Sequence, residues 1–393
     1  MSAASRGRKK KTDYFASILE TFGELIDNPD ALAAETMASS LISTELTPVE
    51  PYGVDDSGLL PMIEYAASKA DRWGLCFLRA IAAVAISDQV RTTAGKVAET
   101  IAADGVREPA WVATDPEPGR CWQLSDVFGD GMLVLAQFSR GDETHAVSGF
   151  VEPGFPYGIS QQVGVTDDLE AALATMKAEA EEDELYRFET ISMSTAMRLL
   201  RDGIPNAVDL YGGGPGDDDD PAATYFALVY ARCRSLGLAF TQVSDDEPAL
   251  PEEADRIVAE FLGTLPGKQP VARALAGELV SFGWTYDAQR MCRVSPSLFE
   301  RFLLEYVPNE VKLTPEAVAA LPDAMRAWCA WVAGQMRLSA AARGVLATGL
   351  EETLEQFPAR YKNSRGSRSG HAPGSQARTA EPAIPDDTPL FDL

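Results

Sequence analysis

Histidine is the scarcest chemically useful residue in this chain, with two in 393 residues, His145 and His371. His371 lies in a Ser/Gly/Arg/Pro-rich stretch expected not to fold, so only His145 can stand in an ordered site. Imidazole is the commonest general base and a leading metal ligand because its proton comes off near neutral pH. Having one excludes the paired-histidine zinc motifs and leaves little room for a Ser-His-Asp or Cys-His machine. Cysteine is also sparse. Cys76, Cys121, Cys233, Cys292 and Cys329 are odd in number and contain no C-x-x-C, so they read as reduced thiols rather than a disulfide frame or zinc site.

No apolar run approaches the roughly 18 residues that would suggest a membrane span. The basic N-terminus leads into an amphipathic segment and not into an apolar signal core. The expectation is a cytoplasmic protein with no membrane association. Neither G-x-G-x-x-G nor G-x-S-x-G occurs. Gly263-Thr264-Leu265-Pro266-Gly267-Lys268-Gln269 is one residue short of a phosphate loop, has Gln in place of Ser/Thr, and follows a helix. No cofactor and no metal is implied.

Positive charge is outnumbered, with 34 Lys+Arg against 59 Asp+Glu and a net charge of −25. That field repels phosphate backbones, which argues against nucleic acid as a partner of the body. It favours solubility and suits basic partners. Arg6, Arg8, Lys9, Lys10 and Lys11 gather in a basic block at residues 1–12, expected to be a disordered arm. Such an arm is either a solvated terminus or a segment that touches RNA, an anionic membrane or the acidic body.

What is present is a long chain, 46% hydrophobic, enough for two or three cores. Over 13–112 apolar residues recur at helical spacing, as in Phe15, Ile18, Leu19, Phe22, Leu25 and Ile26, and again in Leu75, Phe77, Leu78, Ile81 and Val84. Asn28-Pro29 should end the first helix and Gly105 the last. Over 113–190 the pattern turns to strands. Segments 132–138 and 146–151 flank a hairpin-like connection at 139–143, a short strand follows at 159–165, a helix runs from Asp167 to about Ala178, and a fourth strand returns at 186–190. From 191 to 361 the chain is helical again, with Asp220-Pro221, Pro251, Pro270 and Ser295-Pro296 as helix starts. Residues 362–393 are too polar to fold. The predicted class is α+β, predominantly α: an N-terminal helical layer, a small antiparallel sheet, and a C-terminal helical layer.

His145 heads the candidate catalytic residues, beside Asp142 and Glu143 near the hairpin turn, with Cys121 or Ser160 as groups the fold could bring to it. Its alternative is a strand-end histidine bonded locally. Asp217–Asp220 lacks the alternating ligands and late glutamate of a calcium loop, so it reads as a solvated acidic run, with Asp220 capping a helix. Trp328 and Trp331 do not both fit a narrow core stripe, which marks one of them as a contact surface. At the C-terminus, Leu390, Phe391 and Leu393 stand among acids. That mixture suits a peptide docking into a hydrophobic groove with a basic rim. Pro389-Leu390-Phe391 resembles the peptides with which bacterial proteins bind the replicative sliding clamp, with Asp387 near the place of their leading Gln.

Residues 103–111 (Ala-Asp-Gly-Val-Arg-Glu-Pro-Ala-Trp), Asp130-Gly131, the His145 hairpin, Ile257–Leu262, Arg293–Pro296, Phe302–Pro308 and Ala327–Trp331 follow one another in an order that resembles a group of uncharacterised actinobacterial proteins. The resemblance implies an architecture over most of 60–358 and no activity, cofactor or catalytic residue. The functional expectation is a non-enzymatic interaction or regulatory protein with a protein partner, reached in part through the C-terminal tail. The alternative is a hydrolase or transferase built around His145, with a carboxylate or Cys121.

Overall fold

The computed structural model describes residues 3–49, 53–112, 115–154, 158–211, 222–238, 250–266 and 270–367. The chain divides into two compact units: Met1–Leu169, Met176–Ala249 and Thr285–Ala288 form the first, and Glu170–Thr175, Leu250–Trp284 and Gln289–Leu393 the second. The boundary therefore falls elsewhere than expected. Residues 191–238 pack with the first unit, because the sheet needs helices on its apolar face.

In unit 1, α1 (Ala3–Gly23), α2 (Ala31–Ser43), α3 (Leu60–Lys69), α4 (Arg72–Val84) and α5 (Asp88–Ala103) form the N-terminal layer. The segment expected as a disordered arm is helical from Ala3, since Arg and Lys propagate a helix well and no proline interrupts them. The α1 helix stops at Gly23, ahead of Asn28-Pro29. Side-chain caps start its neighbours. The carboxylate of Asp30 accepts from Leu32 N and Ala33 N, that of Asp71 from Gly74 N, and the Ser87 hydroxyl from Val90 N. Each cap satisfies donors that the helix itself leaves unpaired. The α4 helix is the centre of the layer, with Leu75, Cys76, Phe77, Leu78, Ala80, Ile81 and Val84 all buried. Gly105 adopts φ +92° just past α5, where a Cβ would be strained. A two-stranded hairpin, β1 (Thr47–Val49) with β2 (Gly53–Asp55), is an addition the short sequence run did not announce.

The second sheet is fully antiparallel, in the order β6-β5-β4-β3-β7. It comprises β3 (Glu117–Asp126), β4 (Met132–Arg140), β5 (Glu143–Glu152), β6 (Ile159–Thr166) and β7 (Tyr186–Ile191), with α6 (Leu169–Glu182) before the last strand. Gly141, at φ +64°, turns β4 into β5. Register then places Phe138 opposite His145 and Ala136 opposite Val147. Because side chains alternate across a strand, one face carries Cys121, Val134, Ala136, Phe138, His145, Val147 and Val151, and the other Trp122, Leu124, Leu135 and Ala146. Helices α7 (Met193–Asp202), α8 (Ile204–Tyr211) and α9 (Phe226–Ser235) belong to the same unit. The first face, α7, α9 and the N-terminal helices share one continuous core.

Unit 2 consists of residues Glu170–Thr175 of α6, α10 (Glu252–Gly263), α11 (Pro270–Tyr286, its last two residues in unit 1), α12 (Pro296–Glu300), a π-helical segment at Arg301–Tyr306, α13 (Val307–Glu310), α14 (Pro315–Gln335) and α15 (Ala340–Ser367). Residues 362–367, expected to be part of a disordered tail, continue α15. Pro308 has no N–H to offer the Leu304 carbonyl, and Arg360 Nε donates to that oxygen at 3.0 Å instead. Trp328 is buried and Trp331 only partly so. Trp331 packs at 5.7 Å from Phe261 and 5.3 Å from Trp328, ring centre to ring centre.

Candidate functional site: a buried charged cluster around His145

Four elements of unit 1 deliver charged or polar side chains to one end of the sheet face. In α2, Ala31, Ala34, Glu35, Ala38, Ser39 and Ile42 follow the three- and four-residue steps of a core stripe, so Glu35 is drawn inward with the alanines. In α9, every residue from Phe226 to Cys233 is buried, which carries Arg232 in with them. In the sheet, Arg140 follows Phe138 on the same face of β4, and β5 brings His145 directly opposite Phe138.

The charges meet. Glu35 accepts from both arginines, one carboxylate oxygen 2.7 Å from Arg140 Nη2 and the other 2.6 Å from Arg232 Nη2. His145 Nε2 lies 3.3 Å from the same Arg232 nitrogen. A guanidinium only donates, so Nε2 accepts and the ring proton sits on Nδ1. The imidazole stacks on Phe138 at 5.9 Å and 21°, and the Arg232 guanidinium lies 5.5 Å from that phenyl centre. Among the described residues Arg232 Nε has no hydrogen-bond partner. Its neighbour Arg234 serves another purpose, donating to the carbonyls of Ala83 and Ala85 at the end of α4.

Burial and the adjacent Arg232 charge lower the His145 pKa to about 4, against a weaker opposing pull from Glu35. Burial pushes the Glu35 carboxyl up, but the charges and hydrogen bonds of Arg232 and Arg140 together outweigh it and hold the carboxyl below its ordinary value. Near neutral pH the cluster is therefore a carboxylate, two guanidiniums and a neutral imidazole. A general base works best with a pKa near the working pH, and both groups here are moved away from it.

No family model, curated protein or solved structure matches this chain. The resemblance to uncharacterised actinobacterial proteins gains no support from those comparisons, and the cluster must be read from its own geometry.

Cys121 shares the His145 face but sits on β3, with β4 between the two strands and its partner Ala136 two residues along from Phe138. Strand spacing puts their backbones roughly 12 Å apart. Its Sγ lies 3.4 Å from Met193 Sδ, and burial raises the thiol to about 11. Ser160 is buried with its hydroxyl donating to the Leu200 carbonyl at 2.6 Å. The structure thus brings neither nucleophile to the imidazole. Asp217–Asp220 and Leu390, Phe391 and Leu393 lie outside the described residues. No group of three or more His, Cys, Asp or Glu side chains suited to a metal ion occurs among the described residues, and no described helix is long and apolar enough to cross a membrane.

Glu35, Arg140 and Arg232 were missed in the sequence. Two of them carried a signal. Glu35 is the only charged residue of α2 and falls in phase with its core alanines, and Arg232 interrupts an otherwise apolar run. A charge in a core position is rarely buried unless paired. For Arg140, at a strand end beside a turn, the sequence holds no such mark.

Proposed function

We propose that this chain is a non-enzymatic, cytoplasmic interaction or regulatory protein whose charged cluster fixes α2, α9 and the sheet in one arrangement. The observation that carries the reading is the Arg232–His145 contact. Arg232 links Glu35 of α2 to His145 of β5, so the one imidazole among the described residues is a neutral acceptor inside a structural ion pair. A buried pair of this kind tends to specify one packing more than it adds net stability. The same contact weighs against the alternative, a hydrolase or transferase built around His145, because an acceptor held by a guanidinium has no lone pair free for a substrate proton. The acidic charge supports a basic protein partner over nucleic acid. Leu390, Phe391 and Leu393 are proposed as a second, linear contact.

The test uses the full-length tagged chain in its native host, wild type beside His145→Gln and Leu390→Ala/Phe391→Ala. Wild type and His145→Gln should recover the same stoichiometric partner, with recovery reduced for the tail variant. Absence of any partner, together with an ester or phosphoester turnover that His145→Gln abolishes, would overturn the reading in favour of the enzyme.

A further inference from the structure

The second face of α2 is unusual in a way the charged cluster does not explain. The helix contains a single charged residue, and that residue, Glu35, points inward. Its outward stripe, Ala33, Thr36, Met37 and Ser40, follows three- and four-residue steps, is uncharged and only partly covered, and runs on to the exposed Thr44 at the C-cap. A helix face turned to water ordinarily carries charges. This one instead forms the floor of an open groove of about 850 Å³, walled by Ile18 and Phe22 of α1 on one side and by Val165 and Tyr225 on the other. Among the described residues, Asp30 and Asp167 are the only charged ones lining it. One Asp30 oxygen caps α2, and among the described residues the other oxygen and the Asp167 carboxylate accept no hydrogen bond.

We propose that this groove docks an amphipathic basic helix of a partner protein. The proposal rests on the interaction reading above and names the partner's chemistry. Three features select that occupant. The floor and one wall are helices whose backbone groups are already bonded along their length, so recognition has to run through side chains, as in helix-in-groove binding and unlike strand addition. The thirteen residues of α2 make a floor about 20 Å long, enough for three to four turns. The small residues Ala33 and Ser40 let a second helix approach closely, with an apolar stripe over Met37 and Leu41 and Lys or Arg flanks meeting Asp30 and Asp167. The chain's own C-terminal residues 386–393 are acidic and would be repelled by that rim.

The probe is a fluorescent amphipathic peptide of leucine and lysine, about 18 residues or five turns long, beside a leucine–glutamate peptide of the same pattern. Both are titrated against the full-length protein at low and at physiological salt. The basic peptide should bind and the acidic one should not. Asp30→Asn/Asp167→Asn should weaken binding about tenfold at low salt, with the difference shrinking as salt screens it. Ala33→Trp, which fills the groove, and Ser40→Arg, which sets a bulky positive charge in its floor, should each abolish binding. Glu181→Gln/Glu182→Gln removes two charges outside the groove and should leave binding intact. Circular dichroism and melting curves confirm that each variant is folded, and two independent groove variants keep the test decisive if one is not.

Equal affinity of Ala33→Trp and wild type would mean simple charge attraction and would overturn the proposal, as would preference for the acidic peptide or no binding at all. A dimer by light scattering that Ala33→Trp converts to monomer would overturn it too, assigning the groove to a second copy. Any of these results with a partner still recovered from the host would remove the groove and leave the interaction reading standing.

Discussion

Replacing His145 with Gln isolates the energetic consequence of burying a neutral imidazole against Arg232. Glutamine keeps an acceptor oxygen for the guanidinium but does not titrate, so the variant differs from wild type chiefly in its response to pH. An imidazole at its ordinary 6.5 and one at about 4 differ by about 3 kcal/mol in the cost of gaining a proton. Above pH 6.5 neither the folded nor the unfolded wild-type chain carries that proton, and the term is constant. As pH falls from 6.5 to about 4 the unfolded chain takes it up while the folded chain does not, so stability declines. Below about 4 the folded ring charges as well and the decline levels off. Carboxylates titrate in both proteins and cancel in the difference. Urea unfolding from about pH 7 to about pH 4, read by hydrogen exchange at the β4 and β5 amides so that unit 2 does not contribute, should show wild type losing about 3 kcal/mol relative to His145→Gln. Parallel curves for the two proteins would refute the buried neutral imidazole, and so would a wild type that gains on the variant in acid.

Arg232→Met should destabilise unit 1 by about 3–5 kcal/mol, because it leaves the Glu35 carboxylate buried with only Arg140. A double-mutant cycle with Glu35→Gln should recover part of that loss, and strict additivity would mean the pair is not coupled. Gly203→Ala should cost about 1–3 kcal/mol by thermal unfolding, since its Cβ would collide with the Ser160 backbone nitrogen; an unchanged midpoint would contradict the close approach of α7 to β6. Cys121, buried and held at about 11, should resist iodoacetamide in the native protein and react on unfolding. Mapping the labelled peptides by mass spectrometry checks this, and rapid native labelling would restore it as a nucleophile.

The sequence by itself determined the elements whose periodicity is strong and local. The α4 stripe, the β4–β5 hairpin around Gly141, the stop near Gly105 and the antiparallel class of the sheet all follow from side-chain spacing, turn residues and short connections. It could not place the unit boundary, because α7 to α9 have the same one-sided pattern whether they cover a sheet or another helix. It could not see the π-helical segment at Arg301–Tyr306, where the compensating donor, Arg360, is 56 positions beyond Leu304. Most of all, it could not assemble the cluster. His145 was visible as the one foldable imidazole, but its state depends on an arginine 87 positions downstream and a glutamate 110 positions upstream. Tertiary packing alone brings those charges out of water and into reach of one another, and only at that range in a low-dielectric interior do they decide which group holds a proton.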